Sequence, residues 1–128
     1  MGPEQPNHFF SKHSRLKRSG EYRAVFERSQ IKVAHPHYLL LAKLNKRQCS
    51  RLGLAVSKKQ IPTAVERNRL KRAVRETFRQ SVCRPSVDVV FLARRTINGK
   101  EKGKTHTRLK EAWKRLSEEV RRFEIENK

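Results

Sequence analysis

The chain has 128 residues, of which 32 are Lys or Arg and 12 are Asp or Glu, giving a formal charge of +20 and a pI near 11.1. This length suits one domain with one modest core, and charge of this density repels itself unless a polyanion lies against it. The longest clearly apolar run, Tyr38 to Ala42, is far too short to span a bilayer, and no apolar stretch near the start makes a signal peptide, so no membrane partner and a cytoplasmic location are expected. Cys49 and Cys83 stand outside any paired spacing, which excludes a disulfide framework or a cysteine-based zinc site and leaves reduced thiols as the expectation.

In chain order, residues 1–8 read as a loose tail containing Gly2, Pro3, Pro6 and Asn7, the folded domain is expected over residues 9–123, and 124–128 read as a second tail. Ser19 is suited to cap a short helix through Arg28 whose apolar face is Tyr22, Val25 and Phe26. Ile31 to Val33 reads as a brief strand that Pro36 separates from a second strand, Tyr38 to Leu44; Asn45 to Ser50 is a polar turn. Arg51 to Ser57 alternates, with Leu52, Leu54 and Val56 on one side and the small residues Gly53, Ala55 and Ser57 on the other. The small set leaves that side of the sheet open to close approach.

The next segment is the most informative. Thr63 with Glu66 three residues later fits a capping box after Pro62. Leu70, Ala73, Val74 and Phe78 then form one apolar stripe. At about 100° per residue, Asn68, Lys71, Arg72, Arg75 and Arg79 fall opposite that stripe. A solvated helix normally alternates its charges to gain i,i+4 pairs. Here cations crowd one another, and guanidinium forks match phosphate oxygens two at a time, so this face reads as a nucleic-acid interface.

Val87 to Ala93 is a nearly continuous apolar strand of the kind found at the centre of a sheet, and Asn98 to Lys104 a Gly/Lys loop. The last helix places Leu109, Ala112, Trp113, Leu116, Val120 and Phe123 on one stripe, which assigns Trp113 to the core. The order α-β-β-β-α-β-α describes a single small α+β domain with a mixed sheet covered by helices.

Catalytic groups are scarce. A two-metal nuclease needs several converging carboxylates, whereas Asp88 is the sole aspartate and lies inside a predicted strand. His35 and His37 flank Pro36 with no carboxylate or cysteine nearby, which argues against a metal site, and His8 and His13 lie in or beside the tail. No phosphate-binding glycine motif is present. The chain reads as a binder, with no catalytic residue, metal or cofactor of its own.

Lys58-Lys59 followed by Arg67-Asn68-Arg69-Leu70-Lys71-Arg72-Ala73-Val74-Arg75-Glu76 resembles the protein subunit of bacterial ribonuclease P, whose signature is a lysine pair, a loop, and R-N-R-x-K-R-x-x-R-E on a helix. Arg15-Leu16 with Glu21-Tyr22 and Val25-Phe26, Arg51 to Leu54, and Val87 to Arg94 extend the likeness over roughly Phe9 to Phe123. The resemblance implies the same element order with a left-handed crossover through the basic helix, against the usual hand. It implies a protein cofactor of a catalytic RNA that uses its own Mg²⁺ to remove the 5′ leader of precursor tRNA, with no obligate protein partner. It gives the contact with catalytic RNA to Lys58, Lys59, Arg67, Asn68, Arg69, Lys71, Arg72 and Arg75, and contact with the leader to Tyr22, Phe26, Leu39 and Leu41. The family often carries an aromatic residue at the place of Leu41, so stacking here falls more on Tyr22 and Phe26.

Three other readings compete. A ribosomal or other structural RNA-binding protein shares the size and charge but not the motif. A helix-turn-helix DNA binder needs a helix just before the basic one, where Arg51 to Ser57 reads as strand. A metal-dependent nuclease is opposed by the single aspartate.

Overall fold

The computed structural model describes residues 15–81, 85–94 and 104–127. Its elements keep the expected order: α1 (Ser19–Arg28), β1 (Ile31–His35), β2 (Tyr38–Leu44), β3 (Arg51–Ala55), α2 (Ala64–Arg79), β4 (Val87–Ala93) and α3 (Thr105–Glu126). The strands lie side by side as β1-β2-β4-β3, antiparallel except for β3 against β4. α2 is therefore the crossover that joins two parallel neighbours. β4 lies inside the sheet with helices packed on both sides, and six of its seven residues are buried, which is why its sequence is apolar almost throughout.

Helices cover both faces. On one side α2 and α3 close the main core, where Leu70, Val74 and Phe78 meet Leu109, Trp113 and Leu116 over Val33, Leu40, Leu52, Val89 and Phe91. Leu54 and Val56 pack against this core, as the alternation in β3 requires. On the other side α1 covers a smaller cluster of Leu16, Val25 and Val90, with Tyr22, Leu41, Ala55 and Leu92 packed around it. Trp113 is 2 % exposed, and its Nε1 donates to the Thr77 hydroxyl at 2.8 Å, which in turn donates to Ala73 O at 2.9 Å. A buried indole N–H is thereby satisfied inside the α2–α3 seam.

The boundaries differ from expectation in four places. Pro36 does not end β1 early: it sits with His37 in the two-residue turn of the β1–β2 hairpin, where a missing N–H costs no ladder bond. Ser19 is the first residue of α1 and Arg18 its N-cap, because the Glu21 carboxylate folds back to accept from the N–H groups of Lys17 (2.8 Å) and Arg18 (3.1 Å). β3 stops at Ala55, two residues short, as Ser57 opens the next turn. α3 continues to Glu126, so residues 124–126 are its last turn and not a tail. The tail over residues 1–8, Cys83 and most of the 98–104 loop lie outside the described residues. No helix among the described residues is long and apolar enough to cross a membrane.

Candidate nucleic-acid interface

α2 starts where the sequence places it: Thr63 is the N-cap and its Oγ1 accepts from Glu66 N at 3.2 Å. Leu70, Ala73, Val74, Thr77 and Phe78 are buried on one side. Opposite them Asn68, Arg72, Arg75, Glu76 and Arg79 line a shallow depression. Arg69 is exposed on one flank of this surface and Lys71 is half-buried on the other. Glu76 is the acid in the depression, 3.7 Å from the imidazole of His106 on α3. Arg75 Nε is buried with no hydrogen-bond partner among the described residues.

Arg67 behaves differently from the other cations of the motif. Counted around the helix it lies near the packed stripe, and its Nη1 donates to Ile61 O (3.0 Å) and Pro62 O (2.8 Å). Its guanidinium holds the turn that feeds α2. That turn carries the lysine pair: Ser57 Oγ accepts from Gln60 N (3.2 Å), Ile61 N returns to Ser57 O (2.9 Å), and Ile61 is buried. The tight closure leaves Lys58 and Lys59 exposed at its apex.

On the α1 side, Leu39, Leu41, Val90, Leu92 and Ala55 share one face of the sheet, with Leu39 paired to Leu92 and Leu92 to Ala55 across the strands. Tyr22 is half-buried there. Its hydroxyl accepts from Leu54 N at 3.1 Å, and its ring lies so close to Gly53 that a Cβ at that position would stand 2.7 Å from Tyr22 Cε2. The small residues of β3 thus make room for Tyr22. Phe26, one turn along α1, is 44 % exposed. Leu39 lines an open groove with Pro36, Gln60, Leu92, Ala93 and Arg94. Of the four expected leader residues, Leu39 lines the groove, Tyr22 and Leu41 pack on the cluster under α1, and Phe26 is exposed on α1.

Sequence reasoning missed Gln60, Leu92 and Arg94 in this groove, although Arg94 directly follows the apolar run of β4. It also missed an ionic cluster under α1. Arg51 donates to Asp88 through Nε (2.8 Å) and Nη2 (2.7 Å) and to Glu21 through Nη1 (2.9 Å); Asn45 Nδ2 adds a bond to Asp88 at 2.9 Å. The Glu21 carboxyl is held down to about 2, chiefly by the backbone N–H groups of Lys17 and Arg18, with Arg51 helping against the cost of burial. Arg51 is pushed up, above all by its bonds to Asp88.

Among the described residues no three of His, Cys, Asp or Glu gather into a metal-holding group. His35 Nδ1 accepts from His37 N at 3.1 Å, and its ring stacks on Tyr38.

A family model described as Ribonuclease P matches residues 10–117. The ribonuclease P protein component of Chromohalobacter salexigens is 41% identical over 117 residues, covering 91% of this chain and 91% of its own. That of Pseudomonas aeruginosa PAO1 is 39% identical over 108 residues, 84% of this chain and 80% of its own. Among solved structures, the RNase P protein of Thermotoga maritima superposes with a TM-score of 0.64 at 25% identity, covering 81% of this chain and 96% of its own. A Staphylococcus aureus RNase P protein gives 0.61 at 27%, covering 80% and 91%. The chain belongs to the ribonuclease P protein component family, and is the protein subunit of an endoribonuclease that processes the 5′ ends of tRNA.

Proposed function

We propose that α2 and the turn before it bind the catalytic RNA, and that the groove beside α1 holds the single-stranded 5′ leader of precursor tRNA. The observation that carries this reading is the outer face of α2, where Asn68, Arg72, Arg75 and Arg79 surround a shallow depression behind a fully packed stripe. Arg69, Lys71, Lys58 and Lys59 extend that surface, and Arg67 serves it by holding the turn. Protein cations there take over counterion screening that Mg²⁺ and monovalent ions otherwise supply between two RNAs. The bond-breaking step belongs to the catalytic RNA and its Mg²⁺, and the work is placed in the cytoplasm with the precursor tRNA. Asp88, the sole aspartate, and Glu21 are both bonded to Arg51.

Leu39 and Leu92 give the groove an apolar floor, and Phe26, exposed on the helix that covers this face of the sheet, offers a ring on which a base can stack. Arg94 at the groove's rim suits a phosphate. The test is cleavage of precursor tRNA at low Mg²⁺ by the catalytic RNA with and without this protein. Cleavage is expected only when both are present; cleavage by rigorously RNA-free protein, or no gain on adding it, overturns the reading.

A further inference from the structure

Three charged side chains from three elements converge where α1 enters the sheet. Arg51 begins β3, Asp88 is its register partner on β4, and Glu21 lies in the first turn of α1. The guanidinium has two edges in one plane: Nε and Nη2 grip both oxygens of Asp88, and Nη1 reaches Glu21. Its side chain is 12 % exposed, against 28 % for Glu21 and 9 % for Asp88. Glu21 is itself fixed by the backbone of Lys17 and Arg18, and Asp88 by Asn45.

Burying such a cluster is costly, and apolar residues of similar volume would often hold a helix to a sheet as well. A planar fork does something an apolar contact cannot: it fixes distance and direction together. The next residue on the helix repeats the fixing, since the Tyr22 hydroxyl binds Leu54 N and its ring rests on Gly53. Two successive residues of α1 are thus pinned to one strand, which sets the height and roll of the helix. Phe26 follows from those pins one turn later; its ring is 44 % exposed, on the helix that covers the sheet face where Leu39 and Leu92 line the groove.

We infer that Arg51 is a positioning residue for leader recognition: its bonds to Asp88 and Glu21 set how far Phe26 stands from the sheet, and so which single-stranded RNA the groove admits. This rests on the reading that the groove takes the leader.

The test uses the full protein with its catalytic RNA and compares affinity for precursor and mature tRNA in Arg51→Lys, Glu21→Gln and Phe26→Ala, beside circular dichroism and melting curves. Arg51→Lys keeps the charge and loses the fork; Glu21→Gln loosens only the helix side. Both are expected to lower the precursor-to-mature ratio about three- to tenfold while catalytic-RNA affinity stays within about twofold, and to add little to Phe26→Ala when combined with it, as coupled neighbours do. An unchanged ratio in a folded Arg51→Lys or Glu21→Gln, with Phe26→Ala lowered, overturns the inference alone. An unchanged ratio in Phe26→Ala overturns the leader reading and the inference with it. A loss that falls equally on both tRNAs and the catalytic RNA assigns Arg51 to stability only and also overturns it.

Discussion

Tyr22 shows how one residue can satisfy a fold and a site at once. β3 is an edge strand, and its outer side is closed by Leu16 N bonding Leu52 O at 3.0 Å and by the Tyr22 hydroxyl accepting from Leu54 N at 3.1 Å. Edge strands left open invite pairing with other chains. Tyr22→Phe removes the acceptor and is expected to cost about 1 kcal/mol. That corresponds to a drop of roughly 3–6 °C in Tm for a domain this small. The precursor-to-mature tRNA ratio should fall by less than in Arg51→Lys, since Phe keeps the ring beside Gly53 and loses only the hydroxyl pin. A second residue-scale expectation concerns acid. The Glu21 carboxyl lies at about 2 in the fold against an ordinary 4.5, so the folded state holds the ionised form more tightly than the unfolded state does. Its contribution is fully present above about pH 4.5 and is lost as pH falls toward about 2. Glu21→Gln should flatten the acid limb of the Tm-versus-pH curve over that window and change little near neutrality in slope. Neither contact was legible in the sequence. Arg51 is separated by 30 residues from Glu21 and by 37 from Asp88, and no periodicity links them.

At the scale of elements, much more could be read. β2 and β4 run over the residues their apolar patterns delimit, and α2 begins at the Thr63 cap, because local spacing and capping chemistry decide those features. The sheet order β1-β2-β4-β3 could not be read, since which strand lies beside β4 depends on contacts far apart in the chain. The end of α3 was missed because Glu124 and Glu126 look like tail residues, yet they simply form the solvated side of a last turn. Arg67 was read with its neighbours in the motif, although its angle around α2 places it near the packed stripe and its bonds go to Ile61 and Pro62. The α2–α3 seam offers a direct check on which side of α2 is structural. Trp113→Phe deletes the bond to Thr77 and part of the indole volume, and should destabilise by about 1–3 kcal/mol. Chemical denaturation would report that loss, and catalytic-RNA affinity at a temperature where the variant stays folded should be unaltered.

For the molecule as a whole, a charge of +20 on 128 residues makes electrostatics the main force in its associations. The fold separates two surfaces. One side of the sheet backs the basic helix, whose cations have phosphates as their natural partners; the other carries the groove beside α1, which is apolar at its floor. Both rest on the same central strand, β4, so the two surfaces keep a fixed relation to one another. The most direct measurement is the affinity of the catalytic RNA over a salt series for the wild type and for the double variant Arg72→Ala/Arg75→Ala, with circular dichroism alongside. Each phosphate contact contributes roughly 0.7–0.9 to the slope of log K against log salt. The double variant should therefore bind more weakly at low salt and show a slope flatter by about 1.4–1.8, with unchanged helicity. Superimposable salt lines for the two proteins would contradict the assignment of this face to RNA.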